Sequence, residues 1–176
     1  ERGVNRLSIG VQSFDDECLQ ALGRIHSASQ AKLAIGKAQS LGFDRINLDL
    51  MHGLPGQSLA KGLTDLQQAL EFGTDHLSWY QLTIEPNTEF YSRPPNLPDE
   101  DVLVDIQDQG QVIIEAAGLS QYEISAYSKP GNQARHNLNY WNFGDYIGVG
   151  AGAHGKVSAW HDSAMVVERR AKLRQP

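Results

Sequence analysis

A single cysteine among 176 residues, Cys18, leaves no partner for an internal disulfide and cannot alone build a zinc or iron–sulfur site. No apolar run approaches the roughly 20 residues that a membrane-spanning helix requires, and Glu1-Arg2-Gly3 does not begin a signal peptide. Basic residues are in the minority. Fifteen Lys and Arg against 21 Asp and Glu give a formal net charge of −6, too little positive field for a nucleic-acid backbone to be the main partner. Internal repeats and low-complexity tracts are missing too. What is present, 40% hydrophobic and 20% charged residues, excludes a disordered chain, a collagen-like repeat and a coiled coil. These features lead us to expect a cytoplasmic chain of about one domain. The first residue is not Met, so a piece of a longer protein is also expected.

Punctuation by caps and glycines divides the chain. Residues 5–12 (NRLSIGVQ) form a short apolar run with Gln12 at its tip, read as a buried parallel strand apolar on both faces. Asp15 starts a short helix that Gly23 ends, and Ser27 caps a second helix closed by Gly42. A second strand, residues 45–51, carries Asn47 and Asp49. A third helix capped by Ser58 then leads to a third strand over 76–84. Short loops joining strand, helix and strand predict parallel βαβ units. Residues 85–98 hold four prolines and read as irregular. A helix is expected over 98–117 and an edge or antiparallel strand over 121–127, with the tail from Met165 to Arg174 read as the start of a basic helix. Periodicity leaves a doubly wound sheet and part of a (β/α) barrel equally open; in both, active residues gather at the C-terminal ends of strands. Gln12, Asp49 and Thr83 stand at or near three such ends.

Several groups could carry chemistry. Asp49 is either a buried carboxylate tied to a nearby loop or the partner of a ligand's hydroxyl pair, as acidic residues are for ribose in nucleotide sites. Arg24 sits where a helix dipole favours a cation, and could equally take a carboxylate or phosphate bidentately. Gln12 is read as a ligand contact, since an unpaired buried amide costs about 1–3 kcal/mol. The glycine-rich stretch 148–155 lacks G-x-G-x-x-G spacing, so close backbone packing is the safer reading than a phosphate loop. His136 and Tyr140, four apart beside Trp141 and Phe143, form either a hydrogen-bonded aromatic cluster or an axial iron ligand on a haem-sized aromatic surface. No histidine pair has zinc-ligand spacing.

Three stretches, residues 5–14, 22–27 and 47–57, together closely resemble the radical S-adenosylmethionine (SAM) proteins of the oxygen-independent coproporphyrinogen III oxidase-like group. Residues 82–88, 122–125, 136–141 and 144–155 resemble its haem chaperone branch. The resemblance covers residues 1 to about 160. It implies an α/β fold: the C-terminal strands of a (β/α)6 three-quarter barrel over 1–90, then a smaller α+β region over 91–176. It also implies SAM, contacted by Gln12, Arg24, Asp49 and Thr83, and a [4Fe–4S] cluster whose Cys-x3-Cys-x2-Cys loop this chain does not contain. Cys18 is expected to be a buried apolar residue and not a substitute ligand. The branch's His-Asn-x-x-Tyr motif, assigned to haem binding, is matched by His136, Asn137 and Tyr140, with His136 the candidate iron ligand. The implied function is a chaperone that binds haem and delivers it to haem proteins, respiratory ones among them. The alternative is an oxidative decarboxylase converting coproporphyrinogen III to protoporphyrinogen IX. Whether any turnover occurs is left open, and this piece alone is expected to be inactive. His52, where the family pattern would have tyrosine, is given no role, and neither is His154.

Overall fold

A computed structural model of the chain describes residues 3–43 and 45–173. It forms two compact units, Glu1–Gln133 and Ala134–Pro176. That is a division by packing. The expected boundary near residue 90 separates the barrel strands from the C-terminal region, and remains a proposal.

In the first unit, strand β1 (Arg6–Gln12) leads through α1 (Asp16–Ala21) and α2 (Ala28–Ser40) to β2 (Arg45–His52), and α3 (Leu59–Glu71) leads on to β3 (His76–Gln81). The caps explain the breaks. The Asp15 carboxylate accepts from the Glu17 and Cys18 N–H groups, Ser27 and Gln30 form a reciprocal capping box, and the Ser58 hydroxyl accepts from Lys61 N–H. After a one-turn helix α4 (Glu89–Ser92), α5 (Glu100–Ala116) runs to a hairpin of β4 (Ser120–Glu123) and β5 (Ala126–Ser128). The sheet order is β1-β2-β3-β5-β4, with β1, β2 and β3 parallel, β5 antiparallel to β3, and β4 antiparallel to β5. The run read as one strand over 121–127 is thus broken by a turn, and β5 extends the sheet alongside β3. The third strand ends at Gln81, three residues short of expectation, where Leu82 N–H donates to the His52 carbonyl at 2.9 Å.

One face of this sheet is apolar. Leu7 and Ile9 stand level with Ile46 and Leu48; β1 then bulges between Gly10 and Gln12, and these side chains pack with Val11, Leu50, Leu77 and Trp79 against Ile35 of α2, Leu66 of α3, and Ile106 and Ile114 of α5. The opposite face carries Ser8, Gly10, Asn47, Asp49, His76, Ser78 and Tyr80. The expectation that β1 is apolar on both faces is therefore corrected: side chains alternate along a strand, and α2, α3 and α5 join the core on one side only. α3 is also tied to the β1–α1 turn. Its buried Asp65 accepts from the Ser13 hydroxyl and, at 2.9 Å, from Phe14 N–H.

The second unit holds α6 (Arg135–Trp141) and a hairpin of β6 (His154–His161) and β7 (Ala164–Ala171). The expected basic helix from Met165 is instead β7; its last residue, Arg174, lies outside the described residues. The turn decides this. Asp162 and Ser163 adopt φ of 45° and 72°, the two left-handed residues of the tight turn that suits strand twist. Adjacent Val166 and Val167 favour a strand as well.

Candidate functional site

The polar face of β1–β3 is knit by side-chain hydrogen bonds. The half-buried Asp49 carboxylate accepts from the Ser8 hydroxyl at 2.9 Å and the Asn47 amide at 2.8 Å, and the same Asn47 amide donates to Ser8 Oγ at 2.7 Å. With its NH2 group so engaged, Asn47 presents Oδ1 to the Ser78 hydroxyl at 3.1 Å and to His76 Nδ1 at 2.6 Å. His76 Nδ1 must then carry the proton. Its Nε2 is left to accept from the Tyr122 hydroxyl on β4. Every donation in this chain points toward Asp49, which fixes the orientation of its carboxylate.

Gln12 ends β1 at φ 68° and is almost fully buried. Its side chain folds over Gly10, where an added Cβ would come within 2.8 Å of the amide nitrogen, and its Oε1 accepts from the Tyr80 hydroxyl at 3.0 Å. The Tyr80 phenol is pushed above its ordinary pKa by burial first and then by the Asp49 carboxylate, while the Arg24 guanidinium and the bond to Gln12 pull it back. One phenol thus feels Gln12, Arg24 and Asp49 together. Arg24 is exposed just after Gly23, and the loop it starts is pinned by His26 Nε2 on the Val11 carbonyl at 3.1 Å. Thr83 is exposed two residues beyond β3, in irregular chain. Sequence reasoning passed over Tyr80, Ser8, His76 and Ser78. The signal was their period-two alignment with Asp49 and Gln12, on strands that the same reasoning treated as apolar on both sides.

The same residues can be set against each implied group. A [4Fe–4S] cluster needs several thiolates. Cys18 is the one cysteine, is buried, and has its thiol pushed up to about 11, chiefly by burial. Among the described residues no group of three or more His, Cys, Asp and Glu could hold a metal. This chain therefore does not fit the cluster. The strand-tip residues do fit an adenosyl ligand: an oriented carboxylate for a hydroxyl pair, a buried amide, and a guanidinium nearby for a carboxylate.

In the second unit, α6 places His136 and Tyr140 one turn apart. Both are exposed, Asn137 is half-buried, and the Tyr140 ring meets Tyr146 edge-on at 4.6 Å. Backbone packing explains part of the glycine-rich stretch. A Cβ on Gly148 would sit 2.1 Å from the His154 carbonyl oxygen, and Tyr146 and Lys156 exchange two backbone hydrogen bonds at 2.9 Å beside it.

Comparison with known proteins bears out the resemblance. Residues 1–67 match the model of the Radical SAM superfamily. The chain is 61% identical to the heme chaperone HemW of Escherichia coli (strain K12) over 174 residues, which is 99% of the chain and 45% of that protein. It is 58% identical to HemW of Haemophilus influenzae over 89% of the chain and 41% of the relative. Over nearly its whole length the chain is similar to HemW-type sequence, and its first part to the radical SAM superfamily. It spans less than half the length of these curated relatives. Among solved structures, the coproporphyrinogen III oxidase HemN of Escherichia coli, described as a radical SAM enzyme, superposes with a TM-score of 0.72 at 23% identity. That match covers 87% of the chain and 39% of HemN, and it shows that the fold is shared. Among the described residues no helix is long and apolar enough to cross a membrane.

Proposed function

We propose that this chain is part of a haem chaperone of the radical SAM class, which binds haem, holds SAM at the polar strand tips and passes haem to acceptor proteins in the cytoplasm. The observation that carries this is the identity to HemW of 61% across nearly the whole chain, motif stretches included. In this reading the Asp49 carboxylate, held by Ser8 and Asn47, takes the ribose hydroxyls of SAM; Gln12 and Arg24 meet the rest of the ligand, and Thr83 lines the approach. His136 ligates haem iron, with Asn137 and Tyr140 beside it. The cluster's ligands lie outside these residues, so no step here runs through it. Bound SAM would supply adenosyl and sulfonium chemistry; the residues of this chain bind and orient it.

The test uses the full-length protein. Asp49→Ala is expected to lower SAM affinity at least tenfold by calorimetry, a loss of about 1.4 kcal/mol, with iron content unchanged. His136→Ala is expected to weaken haem binding in a Soret titration. Equal SAM affinity in the first variant would remove the strand-tip site, and equal haem affinity in the second would remove His136 as ligand. The second reading, coproporphyrinogen oxidation, is favoured by the shared fold with HemN. Consumption of coproporphyrinogen by the full protein would establish it; haem binding without consumption would leave the chaperone.

A further inference from the structure

The β6–β7 hairpin presents two different faces. His154, Lys156 and Ser158 on β6 stand level with Ala171, Arg169 and Val167 on β7, while Gly155, Val157, Glu168 and Arg170 belong to the other side. Over the first face lie two hollows that share Phe143, Gly144, Lys156 and Arg169 and are therefore one cleft. The part of about 360 Å³ is lined by Tyr140, Tyr146 and His154 besides these, and the part of about 750 Å³ by Met165 and Val167. Both are within the size range of small-molecule sites.

The charges in this cleft are unbalanced in an informative way. Lys156 stands directly opposite Arg169 in the strand register, an arrangement that costs stability. Lys156 is answered: it donates to the Phe143 carbonyl and lies 3.4 Å from the Asp145 carboxylate. Asp145 is answered too, by the Ser158 backbone N–H at 2.7 Å and hydroxyl at 2.8 Å. Arg169 forms no ion pair or hydrogen bond among the described residues. A guanidinium left over in a cleft walled by Tyr140, Phe143, Tyr146, Met165 and Val167 calls for a flat apolar body bearing a carboxylate. A phosphate-rich ligand would find one free cation and few donors here.

We propose that this cleft seats a tetrapyrrole, with Arg169 receiving a propionate carboxylate and His154 facing the ring. The proposal deepens the haem reading above and rests on it, and it adds residues outside the His136–Tyr140 motif. Tyr140 alone belongs to both.

The experiment titrates the full-length protein with haem and, separately, with haem dimethyl ester, whose propionates carry no charge. Arg169→Ala is expected to weaken haem binding about tenfold and leave affinity for the dimethyl ester unchanged. Arg169→Lys should recover part of the loss, because it restores charge without the bidentate fork. Arg170→Ala, on the opposite face and paired with Glu168 at 2.8 Å, should behave as wild type. Haem affinity unchanged in Arg169→Ala, or equal losses for haem and its ester, would overturn the cleft assignment while wild-type haem binding left the broader reading standing. A wild-type protein that takes up no haem would overturn both.

Discussion

His52 is a fully buried imidazole. It is buried at the end of β2, stacks on Trp79 with ring centroids 4.5 Å apart, and neither ring nitrogen has a hydrogen-bond partner of good geometry. Burial lowers its pKa to about 4, with the Gln107 side chain opposing. The folded chain therefore holds the neutral ring, and the unfolded chain takes up the proton first, near the ordinary pKa of about 6.5. This contribution to stability is complete above that value and is lost as pH falls toward 4, by about 3 kcal/mol at most. We expect His52→Phe, which keeps an aromatic ring on Trp79, to flatten this slope: urea midpoints of wild type and variant should diverge between pH 7.5 and pH 5. Parallel midpoints would mean that the ring titrates normally. The sequence made Asp49 and Gln12 legible because charge or amide inside an apolar strand is conspicuous. Tyr80 and Ser8 are ordinary strand residues. Only the sheet register shows them beside the same carboxylate.

Helices and parallel strands of the first unit are legible because each announces itself locally, Ser27, Ser58 and Asp15 by capping and Gly42 and Gly73 by ending helices. What lies beyond local signals is pairing. Residues 121–127 alternate like one strand, yet the fold needs two short ones, and β7 reads as a helix because two adjacent left-handed residues, Asp162 and Ser163, leave little trace in composition. Close approach between elements is equally invisible. On α5, Gly110 lies under Trp79 of β3, and a Cβ there would come within 2.0 Å of the indole, which is itself fully buried. Gly36 on α2 is exposed, with nothing within 4 Å of an added Cβ. The same substitution should then have opposite signs. Gly36→Ala should stabilise by about 0.5–1 kcal/mol through helix propensity, whereas Gly110→Ala should destabilise by about 1–3 kcal/mol or more, because a well-packed core cannot absorb the methyl group. Thermal melts of the two variants on either side of wild type would establish the contact between α5 and β3. Equal shifts would exclude it.

Across the whole chain, the two units are built on different terms. The first buries a continuous layer from Val11 through Leu48 and Trp79 to Ile114 between sheet and helices. In the second, Ala134 is the one buried residue among those described, and every residue of β7 is exposed. A two-stranded ribbon with so little apolar burial is marginal in water, and its ladder hydrogen bonds open without disturbing a core. Amide exchange on the 176-residue chain should read this directly. Backbone N–H groups of β1, β2 and β3 are expected to exchange only through global unfolding, whereas those of β6 and β7 should exchange orders of magnitude faster, by local opening. Because the haem reading places its ligands on α6 and this ribbon, saturating haem should slow exchange over residues 135–171 and leave the first unit as it was. A ligand that binds only the ordered form stabilises it in proportion to the logarithm of its concentration over Kd, so protection should rise further as haem is raised. Protection of β6 and β7 equal to that of β1–β3 before any haem is added would show that the ribbon draws stability from burial this structure does not contain.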